Sequence, residues 1–173
     1  MEMVKLRRVI KQSAFALLAL VLLFSILERV REVFACQYTL AALKANVMSY
    51  RLEHNGLYPT NIIAVATASY RFQIPNTTSM VNILSCPGVR KRSLTVTNTA
   101  IESDYVYINW TPFFGTNAVP DGYPLMYDRH LSNHAGFGIN ILPVNGVIFW
   151  DLRARWLKDF AAKHPEYHVP LPE

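Results

Sequence analysis

Ala14 to Leu27 reads AFALLALVLLFSIL, a run with no charge and a single hydroxyl, Ser25. Nothing else in the chain limits its fold so strongly. Leu17, Leu18, Leu20, Val21, Leu22, Leu23 and Phe24 would be apolar all round a helix. A surface helix of a soluble protein keeps a polar face. Lys5, Arg7, Arg8 and Lys11 precede the run, and Glu28, Arg29, Arg31 and Glu32 follow it at once. A basic start before an apolar core of this length fits a secretory signal. A full membrane span takes roughly 20 apolar residues. A retained anchor therefore needs Lys11 and Arg29 to snorkel, with Gln12 and Ser13 at the interface, or a helix packed on partners. Two features speak against simple cleavage: the charges directly after the core, and a helical pattern that runs to Glu53 without Gly or Pro. The positive excess before the run predicts a single pass through the inner, cytoplasmic membrane with the N-terminus in the cytoplasm. The remainder then lies in the periplasm or at the cell surface. Lipid attachment at Cys36 has the small Ala35 it needs, but Val33, bulky Phe34 and the intervening ERVRE fit it poorly.

With 51% hydrophobic and 17% charged residues among 173, the chain is not a disordered one. The length suits an anchor, 1–35, and one globular domain, 36–173. The net charge of +5 is unevenly placed: residues 1–35 hold six Lys/Arg and three Glu, the rest eleven and nine. No nucleic-acid partner is expected, since that needs a concentrated basic face.

Beyond the apolar run, Leu40, Leu43, Val47 and Tyr50 recur at steps of three and four, an apolar stripe on a continuing helix. His54-Asn55-Gly56 ends it and Pro59 bars its resumption. Ile62 to Tyr70 predicts a short helix, Pro75 to Ser79 a loop, Cys86-Pro87-Gly88 a turn and Arg90 to Arg92 a solvated charge run. Tyr105 to Ile108 and Leu125 to Tyr127 are strand-prone, with a turn at Pro120-Asp121-Gly122 between them. Gly138–Leu142 and Val147–Trp150 flank Asn145-Gly146, the strongest short-range hairpin signal. Pro143 makes the first arm an edge strand, or ends it. Asp151 can cap a last helix carrying Leu152, Trp156 and Phe160 on one face, stopped by His164-Pro165.

Cys36 and Cys86 are the only cysteines. In an exported chain they most simply form one disulfide. Closing a loop of that length would contribute roughly 3–4 kcal/mol in the chain-entropy model. The other reading, a redox or metal role, has neither a Cys-x-x-Cys nor a metal spacing to support it.

Several pieces in order resemble a known family. They are Cys36; Tyr50-Arg51-Leu52-Glu53-His54-Asn55-Gly56-Leu57-Tyr58-Pro59; Cys86-Pro87; Ser103-Asp104-Tyr105-Val106-Tyr107; Tyr127-Asp128; Asn133-His134-Ala135-Gly136; and Asn145-Gly146-Val147. Together with the N-terminal helix they resemble type IV pilins and the pseudopilins of type II secretion. The closest likeness is to planctomycete-type pilin-like proteins with an Asn-His…Asp-Gly hairpin. The resemblance implies an α+β fold: a long N-terminal helix, half membrane and half amphipathic, on a small antiparallel sheet, with a short C-terminal helix. It implies a structural subunit or accessory protein, with membrane lipid and pilin-like or secretion-system proteins, itself included, as partners. It makes Asn133, His134, Asn145 and Gly146 markers of the fold, with His134 bonding backbone near the hairpin. Two departures stand out. The chain lacks the Gly before the apolar core and the Glu five residues into it that a prepilin peptidase reads. Asn145 replaces the usual Asp, which weakens any calcium site there.

The chemistry-bearing residues are few. Asp121, Asp128, His130 and His134 lie close in sequence and are the candidates for a metal or acid–base set, the alternative being a membrane-tethered periplasmic metal module or enzyme using Asp128, His130 and His134. Ser132-Asn133 and Ala135-Gly136 argue for a loop there. The chain has no Gly-x-Ser-x-Gly, dinucleotide, Walker or His-Glu-x-x-His motif. Tyr105, Tyr107, Trp110, Phe113 and Phe114 read as sheet core rather than a binding face. The expectation is a non-enzymatic protein with no catalytic residue, cofactor or metal.

Overall fold

The computed structural model describes residues 2–67 (side chains from Ser13 on), 84–87, 103–134, 136 and 138–173. The expected loop at 75–79 and charge run at 90–92 lie outside them, as do the end of the helix expected to reach Tyr70 and Gly88 of the expected turn.

One helix, α1 (Glu2–Glu53), takes up almost a third of the chain without a break. At 1.5 Å per residue it is about 78 Å long. From Ser13 to Arg31 every residue is exposed, and Cys36 is its first buried side chain among those described. Cys36, Leu40, Leu43 and Val47 then follow at steps of four, three and four, all fully buried, while Tyr50 is half-buried. The helix stops where expected. Asn55 and Gly56 take positive φ of 54° and 86°, and the Gly56 amide returns to the Arg51 carbonyl at 2.8 Å. The carbonyls left over at the helix end are met in this way.

The domain is α+β. After α1 come α2 (Ile62–Thr67), β1 (Tyr105–Tyr107), the single turn α3 (Thr111–Phe114), β2 (Pro124–Asp128), a 3-10 turn (Leu131–His134), β3 (Gly138–Pro143), β4 (Phe149–Leu152) and α4 (Arg155–Lys163). The strands form one antiparallel sheet in the order β1-β2-β3-β4. β2 and β3 are buried along their whole length. An antiparallel sheet with one wet face would alternate, so these two central strands are covered on both faces. Gln37 of α1 donates to the Asn140 side chain at 3.0 Å, which puts Asn140 on the helix side of the sheet. By the two-residue period, Ile139 and Ile141 point the other way.

Of the two roles expected of Pro143, it ends the first hairpin arm: it is the last residue of β3, a central strand, and stands opposite Pro124 of β2, where a missing amide does little harm. Two details differ from expectation. The second hairpin arm is β4 at Phe149–Leu152, two residues later than predicted. Leu152 is accordingly an exposed strand residue and not part of the last helix. Asp151 does cap that helix, but from outside it: its two carboxylate oxygens accept from the amides of Trp156 and Leu157, both at 3.0 Å. The chain turns between them through Arg153 and Ala154, both at positive φ. Leu157 and Phe160 are the buried face of α4. Trp110 anchors the aromatic core. It is fully buried, donates to the Pro124 carbonyl at 2.9 Å and is ringed by Phe113, Phe114, Tyr123 and Tyr167. Tyr105 is buried as well, while Phe113 is exposed.

Candidate functional site

The candidate residues divide between two ends of the β3–β4 hairpin. At one end β2 delivers Asp128, the 3-10 turn delivers His134 and β3 delivers Asn140. Asp128 is fully buried and His134 nearly so. His134 Nε2 lies 3.0 Å from Asp128 Oδ2. The same oxygen accepts from the Asn140 amide at 2.7 Å and from its side-chain Nδ2 at 3.1 Å. Asp128 Oδ1 and His134 Nδ1 are buried with no hydrogen-bond partner. Against this group stands the Cys36–Cys86 disulfide, with a Cα separation of 5.6 Å. Cys86 Sγ is 3.8 Å from His134 Nε2. Trp150 of β4 meets the imidazole edge to face at 5.3 Å. It can do so because Gly138 has no side chain: a Cβ there would fall 2.8 Å from the Trp150 ring.

His134 is thus bonded to a side chain, Asp128, rather than to backbone. His130 is not part of the group; its Nδ1 faces Glu173 at 3.6 Å. Asp121 is elsewhere too, accepting from Asn145 Nδ2 at 2.7 Å on the surface. Asn145 and Gly146 form the exposed turn at the far end of the hairpin, where the Gly146 carbonyl accepts from Lys44 of α1 at 3.0 Å. Asn133 and His134 precede β3 while Asn145 and Gly146 follow it, so the two marker pairs lie a six-residue strand apart, about 20 Å. The hairpin is tied to α1 at two levels, through Lys44 at the Gly146 end and through Gln37 and Asn140 near the other.

Gln37, Asn140 and Trp150 were missing from the sequence-derived set. Asn140 carried a signal: one amide side chain inside the apolar run GINILP. A polar residue in the middle of a central strand needs a buried partner.

A second feature borders this one. Leu22, Ile26, Val30, Val33 and Phe34 of α1 face His134 and Trp150 across a largely apolar groove of about 490 Å³, with Ser25 and Arg29 on its rim. Here the exposed helix leaves the domain. Ser25 Oγ donates to the Val21 carbonyl at 2.9 Å, so the one hydroxyl of the apolar run is satisfied within its own helix. Arg29 pairs with Glu32 at 3.3 Å and Arg31 with Glu28 at 3.6 Å.

A long N-terminal apolar helix packed on a four-stranded antiparallel sheet is a pilin-like architecture. No family model, curated protein or solved structure matches the chain.

Proposed function

We propose that this chain is a membrane-anchored, non-enzymatic structural subunit or accessory protein of a pseudopilus-like system, of the type II secretion or type IV pilus kind. The supporting observation is the two-part character of α1. Ser13–Glu53 contains an 18-residue window of mean hydropathy 2.1, none of it buried by the domain. Such a window is about 27 Å of helix, close to the hydrocarbon thickness of a bilayer. The same helix then becomes a pillar of the domain. An anchor continuous with the fold transmits position rigidly and suits a subunit that assembles through its helix. The partners in this reading are membrane lipid and pilin-like proteins, other copies of the chain included. The N-terminus sits in the cytoplasm and the domain in the periplasm or at the cell surface. The reading of a non-enzymatic protein is supported by the burial of Asp128 and His134 and by the engagement of Asp128 Oδ2 with His134 Nε2 and both nitrogens of Asn140.

The test is site-directed cross-linking of full-length protein in bacterial inner membranes. Photo-reactive residues replace Leu20 and Phe24 on the bare half of α1, or Leu40 on the buried half. Adducts to pilin-like subunits or further copies are expected from positions 20 and 24 and not from 40. A protein released to the periplasm without residues 1–35, or intact protein giving no adduct from 20 and 24, would overturn the proposal.

A further inference from the structure

We infer that the buried group of Cys36, Cys86, Asp128 and His134 is a second, metal-binding state of the disulfide: a tetrahedral site for zinc or a similar divalent ion, open once the two sulfurs are reduced. One donor atom from each residue lies within 4.8 Å of every other, and all four residues are buried. A zinc ion with Zn–S near 2.3 Å and Zn–N or Zn–O near 2.0 Å spaces its donors about 3.3–3.8 Å apart. Cys86 Sγ and His134 Nε2 already stand 3.8 Å apart. His134 Nε2 and Asp128 Oδ2 at 3.0 Å have to part only slightly. The larger change is between the sulfurs, which are bonded to each other in the disulfide state.

The surroundings suit such an ion. Metal-bound carboxylates are commonly held by outer hydrogen bonds, and Asn140 holds Asp128 through two, itself fixed by Gln37. Asp128 Oδ1 is a buried carboxylate oxygen without a donor, an expensive arrangement that a cation would relieve. Charge also balances. Counted with a neutral imidazole, the disulfide form carries minus one from Asp128. Zinc with two thiolates and one carboxylate carries minus one as well, so loading adds no buried charge.

Two steps connect the states. A dithiol reductant gives two electrons and two protons to the disulfide, yielding two thiols and its own cyclic disulfide. The ion then displaces both thiol protons to solvent. His134 lies on the groove beside α1, so the way in leads past Trp150 and Phe34. The inference stands apart from the structural role proposed above, because it concerns the state of the domain and not what the domain assembles with.

The experiment takes full-length protein in detergent, reduces it with a phosphine, removes the reductant under inert gas and titrates Zn(II) and, separately, Co(II). One equivalent is expected, with the visible absorption of tetrahedral thiolate-bound cobalt. Asp128→Asn and His134→Gln should each weaken binding at least tenfold, at or beyond the lower end of what even outer-sphere changes cost. The unreduced protein and the Cys36→Ala/Cys86→Ala variant should bind none. Absence of binding by the reduced protein would overturn the inference. So would equal binding by the disulfide form. Binding indifferent to His134→Gln would overturn it too, and that result also exposes capture by two thiols of an unfolded chain.

Discussion

The two halves of α1 obey opposite rules although no residue breaks the helix between them. Around Leu20 every side chain is apolar and none meets the domain; around Leu40 one stripe is apolar and fully buried. The first half is left uncovered by the fold. The second is stable because the sheet covers it. In water most helical stability comes from such tertiary packing; in a bilayer the internal hydrogen bonds suffice. A single element can therefore join two environments if only its side-chain pattern changes.

The largest expected effect separates the halves by pH. Burial raises the ionisation of Tyr105, Tyr107 and Tyr127 well above the ordinary tyrosine value; Asp128 pushes Tyr105 further the same way, Tyr58 does so for Tyr107, and Arg129 opposes the rise at Tyr127. An unfolded tyrosine ionises near pH 10. Stability from the neutral phenols is whole below that point and falls as pH climbs from there toward the folded values, because the unfolded chain then binds fewer protons. The domain should unfold cooperatively above about pH 10. Residues 13–27 carry no titratable side chain, so their helix should survive in micelles. Circular dichroism on full-length protein, with tyrosine difference absorbance, would show one coincident partial loss. Gradual phenol titration without unfolding would contradict the burial.

A matched pair of substitutions asks the same question with one chemistry. Leu40→Ala should cost about 2–5 kcal/mol of domain stability, the usual toll of emptying a packed site. Leu20→Ala should change it by less than about 0.5 kcal/mol, as for a side chain without protein contacts. All the tryptophans, Trp110, Trp150 and Trp156, lie in the domain, so their fluorescence in a denaturant titration reads the domain alone. Equal costs would mean that the bare half packs on the domain after all.

The smallest effect tests how the helix side of the sheet is held together. Gly138→Ala puts a methyl 2.8 Å from the Trp150 ring and 2.5 Å from the Asp151 carbonyl oxygen. Overpacking of this kind costs about 1–3 kcal/mol. Trp150 should move off His134, shifting the fluorescence of the folded state as well as the unfolding midpoint. An unchanged spectrum would mean that the His134–Trp150 contact is not held by Gly138.

Legibility of the sequence tracked the range of the interactions. The course of α1, its stop at Asn55-Gly56 and its apolar stripe depend on neighbours three and four residues away, so the pattern alone was enough. The disulfide followed from there being two cysteines and an export-like start. β4 and α4 begin two and three residues later than the pattern suggests, because the left-handed turn at Arg153 and Ala154 has no glycine to announce it. The candidate site was half readable. Asp128 and His134 were named, but with His130 and Asp121, which proximity in the chain grouped with them and the fold pulls away.

What the sequence determined by itself is periodic and local: the apolar run, the switch to a single stripe, the turn residues and the strand-prone segments. What only the tertiary structure decided is which polar groups share an interior. Gln37, Cys36, Cys86, Asp128, His134 and Asn140 come from α1, the segment before β1, β2, the 3-10 turn and β3, and Gln37 and Asn140 are 103 positions apart. The physical reason is the cost of leaving a polar group unmatched in a packed interior. That cost compels the chain to bring partners together, and it says nothing in advance about which stretches of sequence will supply them.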